Sequence, residues 1–144
     1  MNVSATPEGF HTITANMIVQ GAEKAIEFYK KAFGAEERMR LMMPDGKIVH
    51  CELKIGDSIF NLADEMEGWP PHPLLAQLFV ENSDAVLQRA VDAGATVSQP
   101  MSDTFFGTRE GRVVDPFGGT WTISTRKENV TPEEMQRRID SLGS

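Results

Sequence analysis

A chain of 144 residues with a formal net charge of −7 fits one domain, and its acidity disfavours nucleic acid, because phosphate backbones repel it and no Lys/Arg run reverses the sign locally. Its 40% hydrophobic content is ordinary for a globular protein, and no apolar run approaches the roughly 20 residues of a membrane span, so no membrane partner is expected. Cys51, the only cysteine, allows no internal disulfide, and Met1 to Gly9 lacks the basic and apolar segments of a signal peptide; cytoplasmic residence is the expectation.

Thr12 to Val19 alternates, with Ile13, Ala15, Met17 and Val19 on a core side and Thr12, Thr14 and Asn16 on a polar side, the pattern of a half-buried strand. Ala22, Ala25, Ile26, Tyr29 and Phe33 recur at helical spacing, and Gly34 suits the position after the helix where positive φ is needed. Arg38 to Met43 and Lys47 to Ile55 flank Pro44-Asp45-Gly46, a hairpin signal, and Ser58 to Ala63 follows the Gly56-Asp57 turn as a further strand. Asp64 to Pro73, with Gly68 and three prolines, reads as a linker. Leu74 to Val80 is a strand. Ser83 is a candidate cap for a helix from Asp84 to Ala93 with Val86, Leu87, Ala90 and Val91 as its apolar stripe, ended by Gly94. Thr96 to Pro100 is extended, and Arg109 to Asp115 and Thr120 to Thr125 are strands joined by Pro116-Phe117-Gly118-Gly119. Thr131-Pro132-Glu133-Glu134 is a capping box that opens a short helix reaching about Leu142.

The chain is therefore written twice. The helix ending in Gly34-Ala35 recurs as one ending in Gly94-Ala95, each after an apolar strand and before alternating runs. The fold class expected is α+β: two tandem βαβββ modules (about 10–63 and about 74–125, linker 64–73) forming a curved sheet around a shared cleft, with a C-terminal helical tail over 131–142, all within a single domain of residues 1–144. The tail lies outside the duplication and reads as a packing appendage or a dimer contact.

Alternation then selects the residues expected in that cleft. In Ile48 to Ile55, Val49, Cys51, Leu53 and Ile55 belong under the helix, leaving Ile48, His50, Glu52 and Lys54 on the other face. His50 and Glu52, two apart on one strand, project in parallel and are the candidate catalytic pair, able to share a proton or a metal or to hold a polar ligand. Thr14 and Asn16 from the first strand join them, with Leu75, Gln77 and Phe79 from the second copy, and Thr122 beside Thr120 and Ser124 from the last strand. Cys51 reads as a small core residue, and His11 and His72 as surface histidines. Trp69 either caps the cleft or anchors its own loop, and Phe105-Phe106-Gly107 either lines a pocket or packs. Arg109 pairs with an anionic ligand, with Glu52, or in another ion pair. The lining suits an organic ligand with a few polar handles; a tight metal cage needs three or four converging donors. No phosphate-binding glycine loop and no serine-nucleophile elbow is present.

Two segments, Ala25-Ile26-Glu27-Phe28-Tyr29-Lys30-Lys31-Ala32-Phe33-Gly34 and Asp115-Pro116-Phe117-Gly118, resemble the vicinal oxygen chelate superfamily of glyoxalase I, bleomycin-resistance proteins and extradiol dioxygenases. The runs Asp45 to Leu53 and Glu128 to Met135 resemble its PhnB-like branch, often labelled as similar to 3-demethylubiquinone methyltransferases; the resemblance spans about Ile13 to Arg138. It implies the glyoxalase/bleomycin-resistance fold, a common homodimeric state and, in the enzymes, a divalent metal acting as Lewis acid. The four metal-ligand positions it implies fall on Thr14, Glu52, Leu75 and Thr122. Of these only Glu52 is a good donor, so no metal site and no cofactor is expected, and a divalent metal is disfavoured. The reading is a homodimeric, metal-free protein binding a small organic ligand. The alternative is a lyase, isomerase or dioxygenase-type enzyme using Glu52, with His50, as base or as part of a weak metal site.

Overall fold

The computed structural model of the chain describes residues 2–143. Its elements run β1 (Asn16–Val19), α1 (Ala22–Phe33), β2 (Glu36–Met42), β3 (Ile48–Ile55), β4 (Ser58–Asp64), β5 (Leu75–Phe79), α2 (Ser83–Ala93), β6 (Thr96–Asp103), β7 (Thr108–Val114), β8 (Thr120–Arg126) and α3 (Pro132–Leu142). This is the expected βαβββ order, twice, with the tail helix. The strands form two four-stranded sheets, β1-β4-β3-β2 and β5-β8-β7-β6. The pairs β2–β3, β3–β4, β6–β7 and β7–β8 are antiparallel, but β1 runs parallel to β4 and β5 parallel to β8, so each sheet is mixed. The helix between first and second strand is the crossover that allows this. The chain divides into two compact units, one of residues up to Leu74 with Pro116–Gly119, the other of Leu75–Asp115 with Thr120 onward.

In the first unit α1 packs on β1, β3 and β4. Its Ala22, Ala25, Ile26, Phe28, Tyr29 and Ala32 are buried against Met17, Val19, Cys51, Leu53, Phe60 and Leu62, which alternate out of those strands. Edge-on ring pairs, Tyr29 with Phe60 at 5.7 Å and Phe28 with Phe117 at 6.2 Å, add directional packing. Gly34 ends α1 at φ 68°, where its N–H reaches the Lys30 carbonyl. In the second unit α2 packs on β6, β7 and β8, over Val113, Trp121 and Ile123. A Cβ on Gly111 would lie 2.8 Å from Leu87 Cδ1, so the missing side chain is what lets α2 approach β7.

Several expectations are corrected. β1 begins at Asn16, and Ile13, placed on the core side, is 89% exposed, because it lies outside the pairing with β4. The side assigned to Ile48 and Val49 is reversed: Ile48 is buried and Val49 half-buried, because β3 carries an extra residue where Leu41 pairs with His50 but Met42 with Ile48. The cap of α2 is Asn82, whose Oδ1 accepts the Ala85 N–H; Ser83 is already helical and buried. β6 continues past Pro100 to Asp103. Thr131 caps α3 as expected, its hydroxyl accepting the Glu134 N–H with Pro132 opening the helix, but the Glu134 carboxylate goes to Arg137 and Arg138, so the reciprocal half of the capping box is not made.

Candidate functional site

Strand pairing lays the residues of the first sheet's open face in rows. Asn16 pairs with Asn61, Asn61 with Glu52, and Glu52 with Met39; one step along, Ile18 pairs with Ala63 and His50 with Leu41. Directly opposed residues share a face. The row therefore delivers three polar side chains, Asn16, Asn61 and Glu52, with His50 beside them. His50 Nε2 lies 3.2 Å from Glu52 Oε2. A carboxylate has no hydrogen to give, so Nε2–H donates, and in the neutral ring Nδ1 is left as an acceptor. Glu52 Oε1 also has Arg38 Nη1 at 3.8 Å. Arg38 is the extra residue of β2 where Glu37 pairs with Leu53 but Met39 with Glu52. Its other contacts are the Glu8 carbonyl and the Phe10 ring, 5.6 Å from its guanidinium carbon.

A cavity of about 380 Å³ opens at this end of the sheet, lined by Asn16, Ile18, Val49, His50, Asn61, Ala63, Asp64, Met66 and Trp69, with Met17 and Leu62. The loop that closes it is held by backbone bonds: Met66 and Trp69 exchange N–H···O bonds around a turn with Gly68 at φ 82°, and Ile18 and His72 do the same. Trp69, anchored through its backbone and 61% exposed, stands in the cavity wall. Asp64 is structural: Oδ1 accepts the Ala22 N–H at the start of α1, where Gly21 offers no side-chain cap, and Oδ2 accepts the Ile48 N–H, both at 2.8 Å. Asn61 Oδ1 is buried with no hydrogen-bond partner.

On the second sheet the equivalent face closes on itself. Gln77 Nε2 donates to Ser124 Oγ (2.9 Å), Ser124 Oγ to Glu110 Oε1 (3.2 Å) and Thr108 Oγ1 to the same oxygen (2.7 Å), while Arg112 Nε donates to Thr122 Oγ1 (3.1 Å). Leu75 and Phe79 flank this network, 74% and 66% exposed.

The expected site residues thus fall into separate groups. Asn16 and His50 line the cavity; Glu52 is not in the wall but bonds His50, and Thr14 adjoins through its carbonyl, which takes the Asn16 amide N–H at 3.3 Å. Leu75, Gln77, Phe79 and Thr122 lie on the second sheet. Arg109 is paired within its own unit. Asp84 at the start of α2 takes it in two bonds of 2.7 and 3.0 Å, with Asp103 at 3.4 Å; these bonds hold the Asp84 carboxyl below the usual carboxylate range, and Arg109 lies on the helix side of its strand. Phe105 and Phe106 pack edge-on at 5.1 Å, and the Phe105 carbonyl accepts Arg138 of α3. Cys51 is buried, and burial pushes its thiol up to about 11, the behaviour of a core residue rather than a nucleophile. Asn61, Glu110, Arg112 and Arg38 were missed. Alternation in β4 and β7 (Phe60 and Leu62 against Asn61, Gly111 and Val113 against Glu110 and Arg112) is a readable signal for the first three; Arg38 owes its place to a bulge.

His50 and Glu52 supply two metal donors. Among the described residues no group of three or more His, Cys, Asp or Glu side chains is placed to hold a metal ion. Zinc enzymes use three protein ligands, so these residues do not fit the metal that the resemblance implies for related enzymes.

Comparison with known proteins agrees with this fold. The model of the Glyoxalase/Bleomycin resistance protein/Dioxygenase superfamily matches residues 9–123. The Mycobacterium tuberculosis protein Rv0887c is 35% identical over 142 residues, covering 91% of this chain and 84% of its own length. The Arabidopsis thaliana protein At5g48480 is 30% identical over 141 residues (83% of this chain, 82% of its own), and its X-ray structure aligns with a TM-score of 0.65 at 27% identity over 80% of this chain and 98% of that one. A PhnB protein from Bacillus cereus shares the fold at a TM-score of 0.62 and 18% identity, over 80% of this chain and 99% of that one. With the family model covering both βαβββ repeats almost entirely, the chain belongs to the glyoxalase/bleomycin resistance protein/dioxygenase superfamily.

Proposed function

We propose that the protein binds a small organic molecule, without a metal, in the cavity on the first module's open face. The carrying observation is the cavity itself: about 380 Å³, walled by Ile18, Val49, Met66 and Trp69, with His50, Asn16 and Asn61 as polar handles. Size and lining both match small-molecule sites, which are mostly apolar with a few placed polar groups. The two-donor limit of His50 and Glu52 supports binding without a metal. The test is a thermal-shift screen against a broad metabolite and antibiotic library. A stabilising compound whose shift disappears in His50→Ala supports the reading; a screen with no stabilising compound overturns it. Stoichiometric zinc, nickel, manganese or iron in untagged protein overturns its metal-free part. A homodimer belongs to the same reading, and light scattering on the purified protein decides it.

The His50–Glu52 bond favours a second reading, an isomerase or lyase that moves a proton. His50, in the wall, is then the group that takes the proton and Glu52 the group that orients it, the reverse of the roles expected from the sequence. Solvent deuterium entering a cavity ligand, abolished by His50→Ala and slowed by Glu52→Gln, is the expected result; no exchange in any ligand removes this reading.

A further inference from the structure

We infer that residues Pro7 to Phe10 are a removable strap across the first sheet's open face, clasped by Arg38, and that lifting it extends the proposed site from His50 to Glu52. This rests on the proposed binding function and concerns access to that same site.

Both ends of that face are covered, in different ways. At one end the Trp69 loop is held by backbone bonds, Met66 with Trp69 (3.1 and 2.8 Å) and Ile18 with His72 (3.1 and 2.7 Å). At the other end lies the strap. Gly9, at φ 86°, runs so close to the sheet that a Cβ on it would lie 3.1 Å from Ile59 Cδ1 and 3.2 Å from Arg38 Nη1. Ile59 precedes Asn61 by two on β4 and pairs with Lys54, two beyond Glu52, so it lies on the open face in the row next to Glu52. Among the described residues the strap's backbone makes one backbone bond, Phe10 N–H to the Pro7 carbonyl at 3.1 Å, inside its own turn. Its polar tie to the sheet is Arg38, whose Nη2 donates to the Glu8 carbonyl at 3.3 Å and whose guanidinium carbon lies 5.6 Å from the Phe10 ring. One half-exposed guanidinium, competing with water, is a weaker tether than four backbone bonds, so of the two covers the strap is the one that opens. The clasp also sits on the carboxylate: Arg38 Nη1 is 3.8 Å from Glu52 Oε1, and the Glu52 side chain is 15% exposed, although Met39 beside it in the row is exposed. This cover is why Glu52 bonds His50 and adjoins Asn61 yet stays out of the cavity wall. With the strap lifted, the site runs from Trp69 to Arg38 and both members of the His50–Glu52 pair face it.

Carboxylate footprinting tests this without a ligand. Glu52 is labelled with a water-soluble carbodiimide and glycine ethyl ester and read by peptide mass spectrometry. Gly9→Val drives a side chain toward Ile59 at a positive φ and so lifts the strap while leaving Arg38 and Glu52 unsubstituted; Phe10→Ala removes the ring contact and is the second variant. Labelling of Glu52 is expected to rise about tenfold in Gly9→Val and about threefold in Phe10→Ala, while Asp64, held by two backbone amides, keeps its rate. In the unsubstituted protein the Phe10 amide is expected to exchange with deuterium at least about tenfold faster than those of Trp69 and His72. Equal protection of these amides, or unchanged Glu52 labelling in both variants, overturns the strap. A rise at Asp64 as large as that at Glu52 also overturns it, since the sheet and not the strap then opens. Unchanged Glu52 labelling alongside a library compound that needs His50 overturns the strap and leaves the cavity standing; raised labelling alongside a silent library overturns the binding function and leaves the cover over Glu52.

Discussion

On the first module's open face one row reads Asn16, Asn61, Glu52, Met39; the equivalent row of the second reads Gln77, Thr122, Arg112, Gln99. The next row sets His50 beside Leu41 in one module and Glu110 beside Ser124 in the other. Where the first carries a carboxylate the second carries a guanidinium, and where the first carries an imidazole the second carries a carboxylate. The second row is closed by its own hydroxyls; the first leaves Asn61 Oδ1 unpaired beside a cavity. Beneath these faces the devices that hold the fold are shared. The residue one step past each row ties the last strand to the first N–H of the module's helix: Asp64 Oδ1 accepts from Ala22, and Thr125 Oγ1 accepts from Ser83. A small residue lies under each helix, Cys51 in one module and Gly111 in the other. Duplication preserved what the backbone needs and left the open faces to diverge, so chemistry is to be sought where the two copies differ.

Three measurements sharpen or break that comparison. Trp121 and Phe60 are equivalent core rings, buried under α2 and α1. Trp121→Ala is expected to cost about 3–5 kcal/mol in urea unfolding, with Phe60→Ala at the lower end of that range because its ring is smaller and lacks the indole N–H bond to Asp115. The capping pair comes next. Asp64→Ala removes two bonds from a carboxylate and is expected to cost about 2–3 kcal/mol; Thr125→Val removes a neutral pair, from Ser83 and to Val80, and is expected to cost about 1–2 kcal/mol. The reverse order breaks the claim that the first module depends on the charged version. The smallest effect, a loss of stability confined to alkaline pH, concerns Cys51. Its thiol is raised from an ordinary value of 9.0 to about 11, so the native state holds the proton more tightly than the unfolded chain. That contribution is complete below about pH 9 and is lost as pH rises toward 11. Melting temperature followed over this window is expected to fall less in Cys51→Ala, and a thiol reagent at pH 8 to label Cys51 only after unfolding. Rapid labelling of the native protein contradicts the core assignment.

Much of this fold was legible. Helix α1 could be read from its apolar spacing and Gly34, α3 from its capping box, and the hairpin from Pro44-Asp45-Gly46, because helix periodicity, caps and tight turns are satisfied within a few residues of chain. The repeat of these local signals was enough to fix the βαβββ order twice. The open faces were half legible: alternation placed His50 and Glu52 together, and the same rule applied to β4 and β7 reaches Asn61, Glu110 and Arg112.

What alternation could not supply is where it breaks. The extra residues at Arg38 and Val49 exist because β2 and β3 pair out of step, and each shifts the faces of its neighbours. That slip sets Arg38 beside Glu52 and buries Ile48. For Arg109 the sequence left the choice among an anionic ligand, Glu52 and another ion pair; Asp84, 25 residues away, and the nearer Asp103 claim it. Asp64 read as the first residue of a linker; in three dimensions it binds the start of α1 and the start of β3 at once. The sequence by itself determined the elements, their duplication and the pair His50–Glu52, since these follow from neighbours along the chain. Tertiary structure decided the cavity, the unpaired Asn61 and the partners of every arginine near the sites, since these depend on register and on contacts between segments far apart in sequence.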